Sequence, residues 1–390
     1  MQPERLLEKK SVERIPLLKP DLPPYRAVQS HFRKIFELNI VSNFGRYMNE
    51  FEEKAGTYLG TNVAAVSSGT LGIVFALQAL GLRPEQKVIL PSFSFMATAQ
   101  AVIYAGGIPL FAEVESDFTL SPLDLEALLS RHPDVGAVLP VHLFGMPCRI
   151  DEIQRIVDAA SQKNNGRPIP ILYDAAHAFG SVSAGVRVGN FGNAEVFSLS
   201  ATKILTTIEG GLVSSSDTGL IDRICKMRNY GMEAYSYNAS LAGLNGKMSE
   251  FHASVGIENL KRIDAILEQR RKKADYFLKK IRENTTFHAL PVPPKVQHNF
   301  KYFTILVPEN LREKRDSITA FLRERGVDTR TYFYPSIHEQ KFFKRFSLRP
   351  LPKTEDLSRR VITLPFFTSL TKAEMDYIVK VLSEAERVFG

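Results

Sequence analysis

Between about residue 60 and residue 215 the chain alternates short β-rich runs with stretches of helical periodicity, and this pattern limits the fold more than any other feature. The runs cover residues 63–66, 88–90, 109–114, 137–143, 169–173, 194–199 and 211–214. Helical patterns fit 69–81, 95–105, 122–131, 149–163 and 217–229 between them. Strands separated by helices of this length form βαβ units and a mostly parallel sheet. Several runs are apolar throughout, as strands are when helices cover both faces of the sheet. The spacing therefore predicts an α/β domain whose ligand lies at the carboxyl ends of the strands.

The pattern changes on either side of that block. Residues 1–45 read as an N-terminal arm with one helix, and 46–249 as the large α/β domain. Residues 250–284 are expected to form one long connecting helix. After the Pro-rich stretch at 291–294, residues 285–390 read as a smaller α+β domain. Its expected strands are 302–307, 327–334 and 361–364, and its expected helices 315–325 and 371–388.

With 390 residues, 44% hydrophobic and 24% charged, the chain has ordinary globular composition and length for a large core. Its two cysteines, Cys148 and Cys225, have no metal-ligand spacing, which favours a reduced, cytoplasmic setting. The charged first residues hold no apolar signal segment, and the most apolar stretch (88–111) is too punctuated to span a bilayer, so no membrane partner is expected. The net charge of +8 suits anionic small molecules as well as nucleic acid. No zinc-finger spacing or glycine-aromatic RNA signature accompanies it, and the densest basic stretch, 261–282, reads as an amphipathic helix. Nucleic acid is therefore not an expected partner.

Three motifs fall at strand ends. Ser67-Ser68-Gly69-Thr70 follows the first run and opens a helix. There, backbone N–H groups and the helix N-terminus suit a phosphate, although simple N-capping by a hydroxyl is the commoner use of such a motif taken alone. Asp174, in YDAAH at 173–177, ends an apolar strand, where an acid needs a cationic partner or a turn to cap. A protonated pyridine nitrogen is one such partner, and His177 lies three residues on. Lys203 ends FSLSATK at 197–203, before EGG at 209–211, among small polar residues. Burial there would lower its pKa and make a nucleophilic amine, while an ion-pair role remains open.

The ordered succession of phosphate cradle, strand-end Asp and strand-end Lys resembles the DegT/DnrJ/StrS sugar aminotransferases. The likeness extends along nearly the whole chain. It rests on SNFG at 42–45, SSGT at 67–70, PSFSFMAT at 91–98, PVHLFGMPC at 140–148, YDAAHAFGS at 173–181, FSLSATK, EGG, RNYG at 228–231, NGKMSE at 245–250 and TRTYFYPSIHEQ at 329–340. The resemblance implies an aspartate-aminotransferase-like (fold-type I) α/β architecture, with a mostly parallel seven-stranded sheet and a smaller C-terminal α+β domain. It also implies pyridoxal 5′-phosphate as cofactor. Lys203 would form the Schiff base and shuttle the proton, Asp174 would pair with the ring nitrogen, and His177 would sit near the ring hydroxyl. Phe95 would stack on the ring; Ser68, Gly69, Thr70 and Ser198 would hold the phosphate. Asn245 would reach it from the second subunit of a homodimer with shared sites.

Arg46 and Ser200 depart from the family pattern, which has proline and histidine there. A lysine rather than a histidine at 203 favours transamination over dehydration. The run from Ser198 to Gly211 resembles the loop of 4-aminotransferases that make dTDP-4-amino-4,6-dideoxyglucose. The expected partners are then a nucleotide-sugar and L-glutamate, with Arg330 and His338 as candidate substrate contacts. A 3-aminotransferase acting on a dTDP-3-keto-6-deoxyhexose and a non-catalytic regulatory protein of the same fold are the alternatives.

Overall fold

The computed structural model describes residues 14–42, 44–163, 166–233 and 236–390. The large domain places β1 (Asn62–Val66), β2 (Lys87–Pro91), β3 (Ile108–Ala112), β4 (Val135–Val138) and β5 (Leu172–Asp174) before a small hairpin, β6 (Val182–Ser183) and β7 (Val186–Arg187). Then come β8 (Ala194–Ser198) and β9 (Gly211–Ser215). Two hydrogen-bonded groups, β1-β9-β8-β5 and β4-β2-β3, join through bridges from Val138 to Ile171 and from Val141 to Asp174. The result is one seven-stranded sheet in the order 1-9-8-5-4-2-3. Only β9 runs antiparallel to its neighbours. The mostly parallel, fold-type I sheet expected from the sequence is present.

Alternate residues of the central strands enter different cores, which is why the strands read as apolar throughout. Ala64, Val66, Val196 and Val213 pack with the helices Gly69–Ala79, Met96–Tyr104 and Thr218–Met227. Ala65, Phe197 and Leu212 face the helices Arg46–Leu59 and Glu250–Leu260 on the other side. Gly72 is mid-helix for a packing reason: a Cβ there would come within 2.8 Å of Val196 Cγ1.

Two expectations are corrected. The single connecting helix at 250–284 is two helices, Glu250–Leu260 and Ile263–Asn284. The Arg262 N–H bonds back three residues to the Asn259 carbonyl, so the first helix closes in a tight turn before the second begins. Nor is there a strand at 327–334. Its backbone makes only single bridges, Val327 with Ile15 and Arg330 with Thr363. The smaller sheet is built from β10 (His288–Ala289), β12 (Phe303–Leu306) and β13 (Val361–Leu364), while β11 (Val296–Gln297) pairs with the β6–β7 hairpin. Its core is closed by the helices Ile263–Asn284, Arg315–Glu324 and Lys372–Phe389. Among the described residues no helix is long and apolar enough to cross a membrane.

Candidate active site

The three strand-end motifs converge at the carboxyl edge of the sheet. At β1 the Ser68 hydroxyl accepts the Leu71 N–H at 3.1 Å, so the serine does cap its helix. The capping leaves the first N–H groups, those of Gly69 and Thr70, for an anion. The cradle is tight. A Cβ on Gly69 would lie 3.1 Å from Ser198 Cα, and one on Gly211 only 2.5 Å from the Ser68 carbonyl carbon. Glycine in EGG is thus required by the close approach of β9 to the cradle. The Ser198 and Ser200 hydroxyls meet at 3.5 Å beside it.

Asp174 is the last residue of β5 and is 5% exposed. Its Oδ2 accepts from the Thr98 hydroxyl at 2.7 Å and its Oδ1 from the Ala176 N–H at 3.0 Å. Burial raises its pKa, against the opposing pull of those two bonds and of the Lys203 and His142 charges. Thr98 was not anticipated as a site residue. Its signal was available, because it closes the PSFSFMAT motif in the first turn of the helix that Phe95 opens.

Lys203 lies in the 199–210 loop after β8, which is fastened back on itself by the Leu199 N–H to the Gly210 carbonyl and the Thr207 N–H to the Leu199 carbonyl. The side chain is open in part to the cleft, but the amine lies deep among protein atoms. Burial lowers its pKa to about 8, while Asp174 and Glu209 pull it upward. A lysine so placed supplies free amine near neutrality.

His177 is buried, and its Nδ1 accepts the Phe144 N–H at 3.3 Å. Burial, then the Lys203 and Lys301 charges, hold it well below its ordinary pKa. The ring is therefore neutral with its hydrogen on Nε2, ready to donate. Phe144 and Phe333 lie parallel to it at 6.4 and 6.2 Å. Phe95 is 51% exposed on the open side, its ring 6.0 Å from Phe333.

The remaining candidates are placed differently. Asn245 is exposed; the next residue, Gly246, accepts the Ser67 N–H at 2.8 Å, which brings this turn to the cradle's edge. Arg330 is exposed, and its guanidinium donates to the Thr329 carbonyl at 3.0 Å. His338 is 4% exposed with both ring nitrogens engaged: Nδ1 lies 2.6 Å from Ser92 Oγ and Nε2 3.3 Å from Glu355 Oε1. A substrate contact through His338 would have to displace one of them.

An anion cradle, a strand-end carboxylate, a buried amine and a neutral imidazole together fit pyridoxal 5′-phosphate. The cradle would take the phosphate and Asp174 the ring nitrogen, with Lys203 at the reactive carbon. When bound, the cofactor supplies an electron sink for breaking bonds at an amine-bearing carbon.

The model of the DegT/DnrJ/EryC1/StrS aminotransferase family matches residues 26–383. The dTDP-4-amino-4,6-dideoxy-D-glucose transaminase of Escherichia coli is 30% identical over 94% of this chain and 98% of its own length. The UDP-N-acetyl-3-dehydro-alpha-D-glucosamine 3-aminotransferase of Acidithiobacillus ferrooxidans is 30% identical over 88% of this chain and 89% of its own. The crystal structure of DesI with its TDP-sugar product superposes with a TM-score of 0.88 at 29% identity, over 97% of this chain and 95% of that one.

Proposed function

This chain belongs to the DegT/DnrJ/EryC1/StrS aminotransferase family and is a pyridoxal-phosphate-dependent sugar aminotransferase; within that activity we propose that it aminates C4 of dTDP-4-keto-6-deoxyglucose. The product is dTDP-4-amino-4,6-dideoxyglucose and the donor L-glutamate, in a cytoplasmic homodimer with shared sites. The observation that carries the chemistry is the juxtaposition of a Lys203 amine of pKa about 8 with the hydrogen-bonded Asp174 carboxylate. Lys203 would hold the cofactor and, when it is bound, would serve as the base that moves a proton at the reacting carbon. Asp174 would keep the ring nitrogen protonated, and His177 would donate to the ring hydroxyl. The choice of C4 is supported by the SLSATK loop, by Lys247 in NGKMSE, and by the likeness to a 4-amino transaminase at 30% identity.

A 3-keto sugar is the second reading, because a 3-aminotransferase relative is also 30% identical. The deciding experiment incubates the holoenzyme with glutamate and a panel of dTDP-, GDP- and UDP-linked 3-keto and 4-keto sugars. NMR then locates the nitrogen in any product. Nitrogen on C4 of the dTDP sugar is the expected outcome; nitrogen on C3, or no reaction with any 4-keto sugar, overturns it.

A further inference from the structure

Behind Asp174 the core holds a polar pair that none of the roles above employs. His142 and Glu195 are both 0% exposed. Glu195 lies on β8 opposite Tyr173, the residue before Asp174, and the His142 ring stacks on the Tyr173 ring at 4.7 Å. The carboxylate takes three donors. Its Oε1 accepts the Gly189 and Phe191 N–H groups at 2.6 and 2.7 Å, and its Oε2 faces His142 Nε2 at 3.1 Å. Across the ring, Nδ1 accepts the Cys148 N–H at 2.9 Å. Nδ1 is therefore bare, and the ring's hydrogen sits on Nε2, pointing at Glu195.

His142 thus ties the two ends of the 140–148 loop to β8. The Cys148 thiol closes the same loop by donating to the Val141 carbonyl at 3.0 Å. That loop touches the site twice. At its start the Pro140 carbonyl accepts the Asp174 N–H at 2.8 Å, and the His142 N–H donates to the Asp174 carbonyl at 2.9 Å. At its middle the Phe144 N–H donates to His177 Nδ1, which leaves the His177 hydrogen on Nε2. Asn299 braces the other side: its oxygen lies against Gly145, and its amide donates to the His177 and Phe179 carbonyls at 2.8 and 3.0 Å.

A buried pair of this kind carries a desolvation cost, and two well-packed apolar side chains would hold the sheet at least as well. What they could not supply is direction. Bonds from a ring of fixed tautomer set where the loop lies, and the loop sets how two site residues are presented.

We propose that His142, oriented by Glu195, is a positioning residue for transamination: it fixes the 140–148 loop and, through it, the Asp174 backbone and the tautomer of His177. The inference rests on Asp174 and His177 as cofactor-facing groups, not on which sugar accepts the nitrogen.

The test begins with heteronuclear NMR of histidine-labelled apo-protein, which reads the tautomer of each imidazole. In wild type, His142 and His177 should both carry their hydrogen on Nε2. Glu195→Gln keeps the volume and an oxygen for the Gly189 and Phe191 N–H groups, but it turns an amide NH2 towards His142 Nε2. That nitrogen must then accept, the hydrogen moves to Nδ1, and the bond from the Cys148 N–H is lost. His177 should show mixed tautomers as a result. In the cofactor-loaded variant the glutamate half-reaction should slow about tenfold or more, with the Kd for glutamate within about twofold. His142→Phe keeps the stack on Tyr173, removes both bonds, and should give the same two changes. Val157→Ala, a truncation in the core cluster that holds Tyr173 and Cys148, should lower stability and move neither reading. Wild type with either hydrogen on Nδ1 overturns the proposal, whether or not the variants fold. So does an unmoved His177 signal or a wild-type half-reaction in Glu195→Gln or His142→Phe. A protein that rejects every 4-keto sugar yet shows these signatures loses the C4 assignment and keeps this one.

Discussion

The Thr98 hydroxyl and the Ala176 N–H grip opposite oxygens of Asp174, at 2.7 and 3.0 Å, and so fix the strand-end carboxylate proposed to meet the ring nitrogen. Both bonds stabilise the ionised form against the burial that raises its pKa. Thr98→Val keeps the shape and removes one donor, which should raise the pKa of Asp174 further. Turnover should fall roughly tenfold or more. The acid limb of the pH–rate profile should move to higher pH, since the carboxylate is then protonated sooner as pH falls. Stopped-flow measurement of the glutamate half-reaction across pH checks both. An unmoved acid limb would mean that Thr98 only packs.

Lys203 should trade stability for chemistry. Its folded pKa of about 8 lies below the ordinary 10.5, so below pH 8 the folded apo-protein carries a buried cation at a cost. That cost fades as pH rises from about 8 towards 10.5. Lys203→Met should therefore raise the unfolding temperature of the apo-protein at neutral pH, by an amount matching roughly 1–3 kcal/mol, with the side chain's access to the cleft keeping it modest. The gain should shrink in alkaline buffer. Transamination and the visible absorbance of the lysine-bound cofactor should both be lost. A variant no more stable than wild type at neutral pH contradicts the burial account.

Ser92 and His338 join β2 to the 329–340 segment. The Ser92 hydroxyl accepts the His338 N–H at 3.0 Å, leaving its own hydrogen for Nδ1, and Nε2 faces Glu355. Ser92→Ala should cost about 1–2 kcal/mol in urea unfolding, the price of a buried acceptor left bare. It should leave KM for the sugar within about twofold if the histidine is a fastening. A large rise in KM with unchanged stability would instead return His338 to the substrate.

Asn245 is exposed on a turn beside the cradle, and the proposed reading would send it to a neighbouring subunit's phosphate. Mixing Asn245→Ala chains with Lys203→Ala chains should restore one complete site in each heterodimer. Recovered activity on mixing, measured after heterodimers are shown by mass spectrometry, is the expected result. No recovery would keep Asn245 out of the partner's site.

Most of the sheet was legible because each strand's burial is local: Val63, Ala64, Ala65 and Val66 are all apolar, whichever core they face. Asp174 and Lys203 were legible for the opposite reason, as charges at the ends of apolar runs. The break at 261–262 was not, since helical periodicity continues through it and only the backbone bond to Asn259 reveals the turn. The 327–334 segment carries β-formers such as Val327 and Tyr332, but packing against His177 and Phe95 outweighed pairing. Gly45 and Glu250 stood in matching motifs without a visible connection. In the fold the Glu250 carboxylate caps the helix Arg46–Leu59 through the Tyr47 and Met48 N–H groups at 2.7 and 3.0 Å, and a Cβ at Gly45 would strike it. His142 escaped notice because nothing in its sequence neighbourhood announces the Glu195 carboxylate on another strand.

Asn299 sets a timetable. Its amide holds the carbonyls of His177 and Phe179, and its oxygen occupies the space that a Cβ at Gly145 would need. A ribosome releasing this chain delivers Asp174, His177 and Lys203 well before Asn299 emerges. The nascent protein thus exposes its reactive amine while the turn opposite is still unroofed. Durable retention of the cofactor becomes a signal that synthesis has passed Asn299, and chains interrupted before that residue should emerge colourless.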